Sequence, residues 1–444
     1  MRRARILAVT ETVLIVLGLV GFLVLLPHDI GGDASKRFEA LSALIWHGRL
    51  IGNEYSLVGP LFATPLLLLG HWVGHEAAWT QEFNTLVFAL GVYVSWRLLR
   101  GHLPGALLRR FFLVLIAGSM FAAHVTGFNA EVFTAMGVGV GLTAVAVRVG
   151  IALGWTAAVL GVVNTPAVAL GLGLVVVRRG LETKRLRYGL VVLATAALIL
   201  GESWLRRGSP FASGYEGNAG YRTIMPYSGL EGFSYPFLLG LLSLLLSFGK
   251  GLVFYAPGLL LPVRATMRRF PLSPDADLRR LYSWWLLFLA GLILIYSPWW
   301  AWYGGFTWGP RFLLFASLPA SLALAVRLWD LAAPLWARLL TLGAWTLSCW
   351  VAVCAAAFTS AAFPDQCSRD TMAYEAFCHY TPEFSALWYP LVFHQGPSWR
   401  GWVAIGYIAV VFVYLAAPLV RSIAVDVAGP VRAALRGVSR GWRF

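Results

Sequence analysis

Charge is what this chain of 444 residues has little of. Asp, Glu, Lys and Arg make up 12% of it, against about 25% in an ordinary soluble domain, and lysine occurs only at Lys36, Lys184 and Lys250. That scarcity excludes an ordinary soluble enzyme. Long polar stretches are missing as well, because apolar runs recur from Ile6 to Leu419, each near the roughly 20 residues a helix needs to cross a hydrocarbon core of about 30 Å. The short alternating segments of a β-barrel are absent, and so is the single apolar run with a cleavage site that marks a secreted protein. No G-x-x-x-x-G-K-[ST] occurs, and no G-x-G-x-x-G opens a helix after a strand, so nothing here draws on ATP directly. What remains is an all-α polytopic membrane protein.

Its formal net charge is +15 with a pI near 10. The basic residues sit in short clusters between apolar runs, which fits the positive-inside rule and not a nucleic-acid surface. The opening Met1-Arg2-Arg3-Ala4-Arg5 keeps the N-terminus in the cytoplasm, ahead of a span from Ile6 to Leu26. Leu57 to Val73 is apolar but holds Gly59, Pro60 and Pro65, which suits a segment lying in or dipping into the interface. Further crossings are predicted at 83–99, 110–127, 131–147, 150–163, 166–177, 188–204, 251–263, 281–297, 312–327, 335–358 and 401–420, about twelve in all. The crossings 150–163 and 166–177 meet at Asn164-Thr165-Pro166. Both termini are then cytoplasmic, including the basic tail Arg421 to Arg443, and four outer segments are long enough to build a site: 27–82, 205–250, 298–311 and 359–400. In the last of them Cys367 and Cys378 are close enough in sequence to close a small disulfide loop in an oxidising compartment. Cys349 and Cys354 fall inside a crossing and read as packing residues.

The first outer loop opens Pro27-His28-Asp29-Ile30-Gly31-Gly32-Asp33-Ala34-Ser35-Lys36-Arg37-Phe38, with two carboxylates and two cations at the end of the first crossing. A carboxylate there can act as general base toward an acceptor hydroxyl. Alternatively, Asp33 or Ser35 caps a helix whose stripe is Phe38, Leu41 and Ile45, with Lys36, Arg37 and Glu39 on other faces. The turn His124-Val125-Thr126-Gly127-Phe128-Asn129-Ala130-Glu131 sets a His and a Glu at the membrane boundary. Glu131 with Asp33 could position an acceptor or hold a divalent ion, or Glu131 is simply an anion at a helix N-terminus.

Basic groups are scarce outside. Lys250 and Arg311 lie at headgroup depth, where a cation neutralises a lipid phosphate or merely snorkels to the interface. Arg206, Arg207 and Arg222 flank a glycine-rich stretch, 214–222, that reads as a mobile loop. Trp299, Trp300, Trp302, Tyr303, Phe306 and Trp308 form an interfacial belt, from which Trp302 and Trp308 are the candidates for stacking on a sugar.

Together these elements resemble the GT-C superfamily of integral-membrane glycosyltransferases. The likeness rests on a cytoplasmic N-terminus, a long first outer loop with an early acid, a second turn with another acid, and a later basic residue at the outer boundary. The stretches Gly32-Asp33 to Phe38, Tyr55-Ser56-Leu57-Val58-Gly59-Pro60-Leu61 and Gly305-Phe306-Thr307-Trp308-Gly309-Pro310-Arg311-Phe312 look like those of uncharacterised bacterial members. The resemblance implies a GT-C-like module over 1–264, followed by C-terminal helices over 265–444, in the bacterial cytoplasmic membrane with the site on the extracytoplasmic face. It further implies a polyprenyl-phosphate-linked sugar as donor and a glycolipid, polysaccharide or protein as acceptor. Asp33 would be the catalytic base, with Asp29 as fallback. Glu131 and His124 would shape the acceptor side, and Lys250, Arg311, Lys36 and Arg37 would meet the donor phosphate. Metal-dependent members carry a paired acidic motif where this chain has Asn129-Ala130-Glu131, so no cofactor is required, a divalent ion being the alternative. A lipid-linked sugar flippase and an outer-face glycan ligase are the rival readings. A flippase favours midplane charges and internal symmetry, neither of which is evident.

Overall fold

Left-handed glycines and prolines divide an otherwise helical chain into long and very short pieces. The computed structural model describes residues 2–226, 228–358, 364–393 and 396–441, and within them the side chains of residues 4–428. Among the described residues the only strands are the hairpin Pro271–Ser273 and Ala276–Asp277.

From the N-terminus, α1 (Arg2–Val24) leads to α2 (Asp33–His47), and three short pieces follow: α3 (Val58–Phe62), α4 (Thr64–Trp72) and α5 (Glu76–Thr80). The stretch 57–73 is therefore not one crossing helix. Next come α6 (Phe83–Leu99), α7 (Gly105–Ala117), α8 (Phe121–His124), α9 (Ala130–Val147), α10 (Ile151–Asn164), α11 (Ala169–Thr183) and α12 (Gly189–Arg207). Thr165 (φ −136°, ψ 82°) breaks the chain between α10 and α11. Arg148, which caps the C-terminus of α9 just ahead of α10, and Arg179, near the end of α11, both bind Asp275, at 2.8 and 2.9 Å. The start of α10 and the end of α11 thus meet at one end of the molecule, and the two helices form a hairpin.

The crossing predicted at 110–127 starts earlier and stops sooner. The chain leaves the helix at Gly118, where a Cβ would strike the Trp345 ring, and Ser119 takes over by donating to the Leu115 carbonyl at 2.6 Å.

The segment 205–250, read as loop, contains α13 (Phe237–Leu246). No continuous helix follows at 251–263. There the chain forms α14 (Leu252–Tyr255) and a 3-10 turn, Pro257–Leu260, because Pro257 and Pro262 each remove a backbone donor and Gly258 lies against the Ala320 backbone. After α15 (Arg264–Met267) and the hairpin, α16 (Leu278–Tyr296), α17 (Ser317–Trp329) and α18 (Leu335–Ala357) are long. The chain then passes through α19 (Asp365–Met372), α20 (Glu375–Tyr380) and α21 (Tyr389–Val392) to α22 (Trp399–Gly441). Of the predicted basic tail 421–443, the side chains beyond residue 428 lie outside the described set.

Among the described residues, seven helical segments are long and apolar enough to cross a membrane: Ala4–Val24, Ala130–Val147, Leu186–Arg207, Leu278–Tyr296, Arg311–Trp329, Leu335–Ala357 and Trp399–Ala428. Burial sorts them. Most residues of 311–329 and 130–147 are buried, and these two form the centre, whereas few residues of 4–24 and 186–207 are, leaving apolar sides to the surroundings. Such all-round apolar exterior is what a bilayer, and not water, would solvate.

The two ends of this bundle differ. At one end Glu11 binds Arg109 (2.6 Å), Asp275 binds Arg148 and Arg179, Asp330 accepts from Thr266 (3.0 Å), and Arg338 pairs with Asp426. The other end collects α2 to α5, the N-terminal turn of α9, the Asn164 junction, the C-terminal turns of α12 and α16, and Arg311. That second end holds the candidate site.

Candidate active site at the loop-rich end

Asp33 opens the first turn of α2 and does not cap it. The preceding Gly32, at φ 55°, turns the chain into the helix without any side-chain cap, and the Ser35 hydroxyl donates to the Gly32 carbonyl at 2.7 Å. This overturns the reading of Asp33 or Ser35 as an N-cap. The buried side of α2 is Ala34, Arg37, Ala40, Leu41 and Ala43, so Arg37 lies on the inward face and not with Lys36 on the outward one. The freed Asp33 carboxylate reaches inward to Arg311, with Oδ2 2.6 Å from Nη2.

Arg311 is presented by an irregular loop. Gly304, Gly305 and Gly309 all take left-handed φ (77°, 73° and 57°), a backbone that strains any residue with a Cβ. A 3-10 turn then runs Arg311–Ala316 into α17. Phe312 stacks on Tyr296 at 4.3 Å and 10°, which orients the start of this turn against the end of α16. Beyond Asp33, the Arg311 guanidinium stands 3.6 Å from Glu131 Oε1. Glu131 is in the first turn of α9, where the helix dipole favours an anion; the dipole and the ion pair act together. One guanidinium therefore lies between two carboxylates, in the position considered for a divalent ion.

These groups line a cavity of about 690 Å³. Its walls are α2, residues 54–56, the start of α9, the Asn164 junction, the end of α12, residues 210–217 and 231–233, and the end of α16 up to Trp299. Asn164 ties α3 to the start of α9, accepting from Gly59 N (2.9 Å) and donating to the Ala130 carbonyl (3.0 Å) and Thr134 Oγ1 (3.2 Å). The 51–57 segment is pinned to α12. Arg206 donates to the carbonyls of Ile51 and Tyr55 and to Asn53 Oδ1, while Glu202 accepts from Ser56 Oγ (2.8 Å) and Leu57 N (2.7 Å). That brace sets Tyr55 over the site, its ring 4.5 Å from the Arg37 guanidinium carbon.

Electrostatics follow from the packing. Burial works to raise the Asp33 pKa, but the Arg311 charge and hydrogen bonds from Tyr55 and Arg311 outweigh it and hold the carboxyl below its ordinary value. Burial, followed by the Asp33 charge, raises the Tyr55 phenol far above its usual range. Burial also lifts Tyr215 to about 12. Both phenols stay protonated near neutral pH and can donate to an anion or a sugar hydroxyl.

Of the acids and cations singled out in the sequence, Asp33, Glu131, Arg37, Arg207 and Arg311 line this cavity. Lys36 stands one step out, paired with the lining Glu54 at 2.8 Å. Asp29 is exposed, its backbone bound to Thr126 O at 3.0 Å, and does not line the cavity. His124 is buried edge-on to Trp308 and also stays outside. Lys250 is sealed away, its ammonium bound to the carbonyls of Gly305, Thr307 and Gly309. Trp302 and Trp308 are buried, at 2% and 4% exposure, and neither lines the cavity. The aromatic wall is instead Tyr296, Trp299, Phe312, Tyr215 and Phe233. Cys367 and Cys378 are joined, with Cα atoms 6.1 Å apart, and Cys349 and Cys354 are free and buried.

Sequence reasoning gave no place in the site to Tyr55, Tyr215, Trp299, Glu202 and Asn164. Asn164 carried a signal, a polar residue at a predicted break between two crossings; Trp299 could not be told from its neighbours, since all belong to one aromatic cluster. Among the described residues, no three His, Cys, Asp or Glu side chains come together as a metal-holding group. No family model, curated protein or solved structure matches this chain.

Proposed function

We propose that the chain is an integral-membrane glycosyltransferase of GT-C type that moves a sugar from a polyprenyl-phosphate donor to an acceptor hydroxyl by a single inverting displacement. The observation that carries this reading is the Asp33–Arg311–Glu131 bridge on the wall of an aromatic-lined cavity at one end of an apolar bundle. The membrane orientation is read from charge: the Arg-rich end with Arg148, Arg179, Arg327 and Arg338 is cytoplasmic, and the cavity end faces outward. On this reading the bundle has the GT-C plan of about twelve crossings: the seven long helices, the shorter α6, α7, α10 and α11, and a broken passage through α13, α14 and the Pro257–Leu260 turn.

In the reaction the acceptor oxygen forms a bond to the anomeric carbon as the bond from that carbon to the phosphate oxygen breaks. The leaving polyprenyl phosphate takes the electron pair, and the acceptor proton passes to Asp33. A carboxylate held below its ordinary pKa is a weak base, suited to receive the proton late, once the new C–O bond has begun to form. A phosphate leaves as a stable anion, so no strong general acid is needed, in contrast to glycoside hydrolysis with its two carboxylates. Arg37 and Arg311 stabilise the developing charge, and Lys250, tied to backbone carbonyls, takes no direct part. Trp299 and Tyr296 offer ring faces to the sugar.

The test is transfer of labelled sugar from a panel of polyprenyl-phosphate sugars by the purified protein, beside Asp33→Asn and with and without chelator. Transfer lost in the variant and indifferent to chelator supports the reading. No donor consumption, with labelled lipid-linked sugar crossing sealed vesicles, would replace it with the flippase. Consumption of only whole lipid-linked glycans would replace it with the ligase.

A further inference from the structure

Lys250 is a buried cation with no carboxylate at hydrogen-bond distance among the described residues, and what it does hold is backbone. It sits at the corner between α13 and α14, 3% exposed. Its Nζ lies 2.6 Å from Thr307 O, 2.9 Å from Gly309 O and 3.4 Å from Gly305 O. An ammonium has three N–H donors, and here each meets a carbonyl of the same loop. The loop's side chains are packed, Trp308 against His124 and Tyr255 and Phe306 against Tyr221, but its backbone makes few hydrogen bonds of its own. Gly304, Gly305 and Gly309 are left-handed, and its internal bonds are Gly304 N to Ala301 O (2.9 Å), Thr307 Oγ1 to Gly304 O (3.2 Å) and Arg311 N to Gly309 O (3.1 Å). Gly309 O therefore receives both the Lys250 ammonium and the backbone N–H of Arg311.

The corner carrying Lys250 is fixed from behind. Gly249 N donates to His379 O at 2.9 Å, Gly251 N to Ser247 O at 2.7 Å, and the Gly249 Cα lies against the Cys378 carbonyl so closely that a Cβ would collide. Cys378 is one end of the disulfide. A continuous mechanical line thus runs from the disulfide-closed segment through Lys250 and the glycine loop to the guanidinium that joins Asp33 and Glu131.

We propose that Lys250 is a positioning residue, whose ammonium gathers the 305–309 carbonyls and so sets Arg311 in register with Asp33 and Glu131. The effect on transfer rests on the glycosyltransferase reading, while the clamp itself rests on geometry alone. The groups facing Lys250 are Arg311 on the loop side, Glu375 and His379 on α20, and His124 on α8. Burial lowers Lys250 to about 7, with Arg311 acting in the same direction and Glu375 against it. Burial raises Glu375 to about 7 and keeps His379 neutral. Deprotonated, Lys250 keeps two donors for three carbonyls, and the longest contact, to Gly305, is the first to go.

The experiment is hydrogen exchange of the full-length purified protein, comparing wild type with Lys250→Met across residues 303–312 and using α9 as internal reference. The expected result is exchange at least tenfold faster in 303–312 of the variant, with α9 unchanged. For wild type alone, exchange corrected for its intrinsic pH dependence should rise in that segment between pH 6 and 8. Unchanged protection in the variant would overturn the clamp; if Lys250→Met fails to fold, Lys250→Gln, which keeps two amide donors, decides the matter, with protection at the wild-type level overturning the clamp and faster exchange supporting it. Transfer measured on the same samples should fall at least tenfold in kcat while KM for the acceptor stays within twofold. A clamp seen by exchange in a wild-type protein that transfers nothing would sink the transferase reading and leave the clamp standing.

Discussion

Arg311 Nη2 and Asp33 Oδ2 are 2.6 Å apart although 278 residues separate them in the chain. Glu131 stands on the other side of the same guanidinium at 3.6 Å. A planar guanidinium with several donors can serve two carboxylates at once, which a point-like ammonium does poorly. The arrangement keeps Asp33 ionised and oriented toward the cavity, and it joins three segments of chain, the first loop, the α9 turn and the start of α17, at one point.

Replacing Arg311 with Lys should therefore fail to restore function. The expected loss of transfer is on the order of 10²-fold, with a raised donor requirement and little change in the acceptor requirement. Steady-state kinetics with donor and acceptor varied separately would check it, and full activity in Arg311→Lys would remove the two-carboxylate argument.

Asp33→Asn keeps shape and removes the proton acceptor. Transfer should drop by about 10²-fold or more, while the detergent-solubilised protein still elutes as a single folded species. An active Asp33→Asn enzyme would disqualify Asp33 as base, and since Asp29 lies away from the cavity, it would leave Glu131 to be examined next.

Acid should loosen the same contact. Because the folded-state pKa of Asp33 lies below its ordinary value, its contribution to stability is fully present above the unfolded pKa, about 3.9. It is lost as pH falls through the lower folded value. Thermal unfolding followed from pH 5 downward should show a steeper decline for wild type than for Asp33→Asn, and equal slopes would show that the pair contributes nothing to folding.

Two tryptophans three positions apart should behave differently. Trp299 lines the cavity beside Tyr215 (5.4 Å) and Phe233 (5.3 Å). Trp299→Ala is therefore expected to raise KM for a sugar substrate with little effect on Tm. Trp302 is enclosed by Tyr380, His379, Tyr303 and Tyr235, and Trp302→Ala should cost about 3–5 kcal/mol of stability. Kinetics and thermal unfolding on both variants decide it; the reverse pattern would put the sugar at Trp302.

Arg206 is the brace of the Tyr55 segment, with its side chain 2% exposed. Arg206→Ala removes one partner of a buried pair and strips the Ile51 and Tyr55 carbonyls of their donor, a loss of about 3–5 kcal/mol. Limited proteolysis should then cut within 48–57 first. A variant as resistant there as wild type would show that α12 does not hold this segment.

Helices α6, α9, α10, α16 and α18 were legible because periodicity does not enter into an apolar run, where length and apolarity suffice, and they fall within a few residues of their expected spans. The break at Asn164-Thr165-Pro166 was legible because Pro removes a donor wherever it stands. The segment 251–263 was misread because its apolar composition conceals Pro257 and a glycine pressed against another backbone, and composition does not register close approach.

The site divides along the same line. Residue type and position at a span's end already marked Asp33, Glu131 and Arg311, since charges at a membrane boundary are costly unless they are used. The sequence by itself determined that these charges exist, that they sit at helix ends, and that the chain between them is apolar. Which cations meet which acids was decided by tertiary structure alone. Arg311 and Lys250 have the same charge and the same apparent depth, yet one faces two carboxylates in a cavity and the other is spent on three carbonyls of a glycine loop. The difference comes from left-handed turns and from contacts between residues hundreds of positions apart, and neither is a property of any local stretch of sequence.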